Sequence, residues 1–201
     1  MFPILAVFII FLLFYAYKRS QITKEDAEKN AAFWELENQA NNTRKKDIEH
    51  LDYIQIPLEN FPIGKYPSDS RTSLEEELME LSHEKILNLT GLSNTELKLQ
   101  YGAANLEFLS ICDDNYTRLV RLLTEYAKTL AEDDYSDDAI AVLEFGVKIQ
   151  SDVTENYLLL ARLYQQRGEG HRIRSLIESA GLLNSLSKDV IQKKLNEMLS
   201  E

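Results

Sequence analysis

A single cysteine, Cys112, occurs in the 201 residues, so no internal disulfide forms and no Cys-x-x-Cys metal or redox pair exists. Glycine and proline are also scarce, at 7 and 4, well below the roughly 7% and 5% of average chains. Many short strands joined by tight turns need more of both, which leaves little room for an all-β chain. Basic side chains are in deficit, 22 Lys and Arg against 33 Asp and Glu for a net charge of −11. Nucleic-acid affinity rests on neutralising phosphates with Lys and Arg, so the balance opposes a nucleic-acid partner. The three histidines, His50, His83 and His171, stand in no metal-ligand spacing. Gly168-Glu169-Gly170 lacks the third glycine and preceding strand of a phosphate loop. The acidic run Glu132-Asp133-Asp134 with Asp137-Asp138 has neither the central glycine nor the closing glutamate of an EF-hand loop. Cys112 follows an apolar helix face and precedes two aspartates, the setting of an inert thiol. No catalytic constellation emerges, and the expectation is a non-enzyme with no cofactor, no metal and no small-molecule substrate.

What is present is organised by segment. Residues 1–17, MFPILAVFIIFLLFYAY, carry no charge and as a helix reach about 25 Å at ~1.5 Å per residue, slightly short of a ~30 Å hydrocarbon core. Phe2, Ile4, Leu5, Val7, Phe8, Ile9, Ile10, Phe11, Leu12, Leu13 and Phe14 are its membrane-facing residues. A cleaved signal peptide would place basic residues before the run and a small-x-small site after it. Here Lys18, Arg19, Lys24, Lys29 and Arg44-Lys45-Lys46 all follow the run, which by the positive-inside tendency sets the remainder in the cytoplasm. The expected location is the cell membrane, single-pass. The sequons at Asn41, Asn88 and Asn115 are silent in that topology.

Residues 18–46 read as a helical stalk, rich in helix formers and free of Gly and Pro. Phe33, Trp34 and Leu36 are its strong hydrophobes and read as a docking patch. Over residues 47–72, Pro57, Pro62 and Pro67 fall five apart and forbid helix. Leu51, Tyr53, Ile54, Ile56, Leu58 and Phe61 make this linker too apolar to run free. It either packs along the outside of the next domain or occupies a groove of that domain as a built-in ligand.

Capping-box spacings at Ser73–Glu76, Ser93–Glu96 and Asp152–Glu155, with the acidic start at Ser136-Asp137-Asp138, predict helices near 74–89, 94–112, 116–132, 137–150, 153–167, 171–181 and 188–199. Shifted by 34 residues, Leu123 falls on Tyr157, Tyr126 on Leu160, Ala127 on Ala161, Leu130 on Tyr164, Asp134 on Gly168, Leu143 on Ile177 and Gly146 on Ala180. Apolar and small positions coincide across both helices of the unit, a helical-hairpin period. Over residues 120–181 the pattern resembles tetratricopeptide repeats. Ile173 stands where that family has alanine, and its terminal proline is missing from both copies. The resemblance implies an all-α fold, a short α-solenoid of helical hairpins over 73–201, and binding of a protein partner, whether peptide or helical domain. On it Asn156, Tyr157, Arg162 and Arg167 become groove residues. Arg172 and Arg174 join Arg162 and Arg167 in a basic patch for an acidic or carboxylate-bearing peptide. Val190, Ile191, Leu195, Met198 and Leu199 form one stripe, with Lys188, Lys193, Lys194 and Glu197 opposite, the pattern of a C-terminal cap helix. HLDYIQIPLENFP and NLTGLSNTELKLQYGAANLEFL also resemble segments of membrane-anchored proteins of Gram-positive bacteria, which implies no activity.

Charge divides unevenly. Residues 18–72 carry nine basic and ten acidic side chains, and residues 73–201 carry thirteen and twenty-three, so nearly all the acidity lies on the repeat region. Two functions follow: a membrane-anchored adaptor or scaffold that binds a protein partner, or a structural subunit assembled through span and stalk with the helical region as spacer.

Overall fold

The computed structural model describes residues 2–200. Within the first helix, the side chains of residues 1–7, 10, 13, 16, 20, 22, 23 and 25 lie outside the description. The described residues form α-helices and short 3-10 turns, with no strand. The helices are α1 (Phe2–Asn41), α2 (Asp69–Leu81), α3 (Asn94–Tyr101), α4 (Leu106–Glu132), α5 (Ser136–Lys148), α6 (Thr154–Gln166), α7 (Ile173–Gly181) and α8 (Lys188–Ser200). They fall into two units, Met1–Lys46 with Ser93–Leu106, and Asp47–Leu92 with Glu107–Glu201.

In the first unit, stalk and apolar run are one continuous helix, α1. Of the expected membrane-facing side chains, Phe2, Ile4, Leu5, Val7, Ile10 and Leu13 lie outside the described residues, and Phe8, Ile9, Phe11, Leu12 and Phe14 are exposed. Among the described residues no helix is long and apolar enough to cross a membrane. The far end of α1 docks on α3 through polar contacts rather than through the expected patch. Lys98 Nζ donates to Glu37 and, at 2.7 Å, to Asn41 Oδ1, while Thr95 Oγ1 donates to Glu37 at 2.7 Å. These donors hold the Glu37 carboxyl below its ordinary pKa, the Lys98 ammonium first among them. Phe33, Trp34 and Leu36 are all exposed, the first two touching edge to face. Where the chain leaves α3, Gly102 adopts φ +93°, and a Cβ there would stand 2.3 Å from the carbonyl oxygen of Arg44. Only glycine permits that crossing.

Several expected helix bounds shift, each for a visible reason. Helix α2 starts earlier, at Asp69, because Ser68 rather than Ser73 caps it, accepting from Arg71 N–H; the linker ends there. Residues 82–92 are not helical. The expected break near Asp113-Asp114-Asn115 is absent, and α4 runs through it. Those side chains are spent sideways, Asp113 accepting from Leu89 N–H at 3.0 Å and Asn115 donating to Lys85 O at 3.1 Å, so they fasten the 85–89 segment instead of ending the helix. The Ser93–Glu96 capping box forms in full.

The second unit displays the 34-residue period as geometry. Helix α4 ends on Asp134 at φ +63° and α6 on Gly168 at φ +74°. Tyr135 N–H bonds to Leu130 O at 2.9 Å, and its 34-residue counterpart, Glu169 N–H, bonds to Tyr164 O at 2.8 Å. Both are Schellman closures. The stacking contact repeats too. The Asn156 amide of α6 donates to Leu143 O of α5 at 3.1 Å, and the Gln192 amide of α8 donates to Ile177 O of α7, also at 3.1 Å, the acceptors 34 residues apart and the donors 36. Helix α8 therefore sits on α7 as α6 sits on α5. Its inner positions Ile191 and Leu195 are fully buried, while Lys193, Lys194 and Glu197 face water.

Close approach of α5 and α6 needs Gly146, since a Cβ there would lie 2.4 Å from Asn156 Oδ1. Gly146→Ala is expected to lower stability by about 1–3 kcal/mol through overpacking, seen as a lower thermal midpoint of the helical signal. Gly170→Ala, with nothing within 4 Å of its Cβ, should leave the midpoint nearly in place.

Candidate functional site

Three polar constellations are built into the second unit. The first joins α5, α6 and the turn before α7. Arg172 lies over the Tyr164 ring at 4.2 Å, donates to Glu144 at 2.6 Å and to Glu169 at 3.1 Å, and Tyr164 O–H donates to the same Glu144 oxygen at 2.8 Å. Arg167 pairs with Asp137 and Glu169. Arg162 pairs with Glu155 at 2.8 Å on its own helix. Of the expected basic patch, three arginines are thus spent on carboxylates of this chain. Arg174 alone of the four is exposed and takes part in no ion pair among the described residues. Asn156 and Tyr157 are fully buried, so they present no atom to a partner. Asn156 rivets α6 to α5 instead of lining a groove.

The second constellation is centred on two buried charges of α2. Glu75 accepts from Gly64 N–H at 2.9 Å and from Tyr126 O–H at 2.8 Å. Arg71, one turn earlier, pairs with Asp133 at 2.7 Å and lies 5.5 Å from the Tyr135 ring, but its Nε and Nη1 have no acceptor. Next to them Tyr66 stacks on Tyr135 at 3.5 Å and 8°, and Lys65 reaches Asp138 at 3.0 Å. Between these groups opens a cavity of about 260 Å³ lined by Lys65, Tyr66, Asp134, Tyr135, Ser136 and Asp138. The acidic run 132–138 stands out in the sequence as a turn, but its partners Lys65, Tyr66, Arg71 and Glu75 do not. Arg71 and Glu75 are four apart on one helix face, the available signal, but an i, i+4 charge pair ordinarily marks a solvated surface.

The third lies around a small cavity of about 110 Å³ edged by Asn88, Thr90, Gln150, Asp152, Asn184 and Ser185. Tyr116 O–H donates to Gln150 O at 2.8 Å and accepts from Asn88, while Ser185 donates to Asp152. The Tyr157 hydroxyl is buried without a partner, and burial with the nearby Asp152 charge pushes it up to about 12. Asn88, the middle sequon, is half-buried and spends its amide on Tyr116 and Ile149 O.

Among the described residues no group of His, Cys, Asp and Glu is disposed to hold a metal ion. Burial raises the Cys112 thiol above its usual range, which disfavours the reactive thiolate. No family model, curated protein or solved structure matches the chain.

The two charges of α2 are expected to behave oppositely. Arg71→Met removes two unpaired buried donors and frees only the half-exposed Asp133, so equilibrium denaturation should change by less than about 1 kcal/mol. Glu75→Leu strands Gly64 N–H and Tyr126 O–H, and should cost about 2–4 kcal/mol. Tyr116, Tyr126, Tyr157 and Tyr164 are all held above the ordinary phenol value, burial first among the causes. Their contribution is full below the unfolded value of about 10 and is lost as pH rises through the folded ones. Ultraviolet titration should therefore show these phenols ionising only with loss of the helical signal above pH ~10.

Proposed function

We propose that this chain is a membrane-anchored interaction module: a single N-terminal span, a stalk, and an acidic tetratricopeptide-like helical unit that binds a protein partner at the membrane surface. The observation that carries it is the recurrence, 34 residues apart, of the turns closed at Asp134 and Gly168, each followed by a hairpin in which a side-chain amide lies across the preceding helix, Asn156 on Leu143 and Gln192 on Ile177. Stacked hairpins of this kind supply extended surfaces rather than reaction centres. The anchor is supported by the absence of charge over residues 1–17 and by the cations that follow them. Its exposed Phe8, Ile9, Phe11, Leu12 and Phe14 are side chains that a bilayer accommodates and water does not.

With Asn156 and Tyr157 in the core, the surface offered to a partner lies on the outer faces of the helices, where Arg121, Glu125 and Lys128 of α4 and Arg162 and Gln165 of α6 are exposed. It is mixed in charge but set in a unit of net negative charge, which favours basic partner segments by complementarity. The alternative, a structural subunit assembled through span and stalk, is favoured by Phe33 and Trp34, which are exposed on α1.

Two measurements test the reading. Alkaline carbonate washing should leave the full chain in the membrane fraction; release into the wash defeats the anchor. Photo-cross-linking residues at positions 121, 128, 162 and 174 should give a discrete adduct, while positions 33 and 34 give none. Adducts confined to 33 and 34 favour the structural subunit.

A further inference from the structure

We infer that the face holding residues 54–66 is a peptide groove carrying this chain's own linker as resident ligand, and that the partner presents an extended segment of the same chemistry. That chemistry is an aromatic–proline anchor, then a lysine and a second aromatic four and five residues on, as in Phe61-Pro62-Ile63-Gly64-Lys65-Tyr66. The inference rests on the proposed interaction role and names the kind of partner.

The linker meets the helices as a bound peptide does. It forms no helix apart from the short turn Leu58–Asn60, and most of its backbone bonds are to itself. Asn60 N–H bonds to Pro57 O, Phe61 N–H to Leu58 O, and Lys65 N–H to Pro62 O. Toward the rest of its unit, backbone donors reach only Ile86 O, from Ile54 at 2.9 Å, and the Glu75 carboxylate, from Gly64. Such a segment is shaped by its own turns and prolines, so it gives up little entropy on docking.

The recognition is by side chains, at separate positions. Phe61 is buried edge to face on Phe145 of α5, ring centroids 5.7 Å apart. Glu75 reads a main-chain N–H that any segment of this path would offer. Asp138 reads the lysine at 3.0 Å, and Tyr135 takes the second aromatic in a flat stack. An anchor, a backbone reader and two selective contacts are the parts of an extended-peptide site. The acceptors come from the acidic unit, and the donor comes from the nearly neutral part of the chain.

Because the resident segment is tethered, it competes at an effective concentration in the millimolar range. A partner's apparent affinity is then its intrinsic affinity scaled by the fraction of molecules with an open groove. This gives a signature that simple core packing lacks: loosening the linker must strengthen binding in trans, and altering the helical side must weaken it.

The test uses the full chain in detergent micelles and a fluorescent peptide of residues 58–68, read by anisotropy. Tyr66→Ala and Lys65→Glu, both at positions not fully buried, should raise peptide affinity about tenfold over the unaltered chain. Phe145→Ala should abolish the gain. Asp138→Lys should weaken the native peptide and restore binding of a peptide with Glu in place of its lysine. Helical content measured on each variant separates loss of the groove from loss of the fold, and Asp138→Lys, at a half-buried position outside the apolar core, covers the case in which Phe145→Ala unfolds. Absence of peptide binding in all folded variants overturns the inference, as does binding indifferent to Phe145 and Asp138. Concentration-dependent dimers of the loosened variants without peptide binding also overturn it, since the occupant is then a second copy. In either case cross-linked adducts at positions 121–174 would leave the interaction role standing.

Discussion

The contact on which the helical unit depends is an amide laid across a helix. Asn156 donates to the Leu143 carbonyl of the preceding helix at 3.1 Å while Gly146 clears the space for it. The arrangement is demanding, because the other end of the same amide, Asn156 Oδ1, is buried with no donor. A buried unsatisfied acceptor costs on the order of 1–3 kcal/mol, and the neighbouring packing must outweigh it. Fully buried Tyr157, Leu160 and Ala161 from α6 and Ala139, Val142 and Leu143 from α5 do so, at about 1.5–3 kcal/mol for each large side chain. The same rivet between Gln192 and Ile177 carries the stack on to α8, where polar outer positions end it.

Electrostatics is directed inward to an unusual degree for so acidic a chain. Arg167, Arg172, Lys65, Arg71 and Lys98 each find a carboxylate on another element. Arg167 and Arg172, which read as part of a surface patch, are fasteners between elements. Isolated exposed pairs contribute little, ~0–1 kcal/mol, so the pairs that matter are those combined with packing, such as Arg172 on the Tyr164 ring.

The linker belongs to the core of its unit while its backbone stays bonded mostly to itself. Ile56 and Phe61 belong to the hydrophobic core of the second unit, yet the backbone between them is bound to the helices hardly at all. Helical hairpins leave grooves that an extended chain fills at low cost when its own turns and prolines already occupy or remove many of its N–H groups, as Pro57, Pro62 and the turn bonds of Asn60, Phe61 and Lys65 do here.

The helices themselves, the proline-marked linker and the 34-residue period were legible because each is a local property. Propensity, caps, φ restriction and apolar spacing act within a few residues or repeat along the chain. Helix ends were less legible where a polar side chain had two uses: Asp113 and Asn115 read as a break, and they act as tethers to the 85–89 segment because that segment lies alongside α4. The environment of the candidate binding residues was least legible. Asn156 and Tyr157 carry polar atoms and read as groove residues, but the approach allowed by Gly146 turns them into the core. Arg167 and Arg172 read as part of a patch because two of their carboxylates, Asp137 and Glu144 on α5, come close only after the helices pack. The sequence alone therefore determined a helical chain of few breakers with one cysteine, an uncharged start and an acidic remainder. Tertiary structure decided which of its charges and polar groups are free, because burial and ion pairing depend on distances across helices that no local pattern encodes.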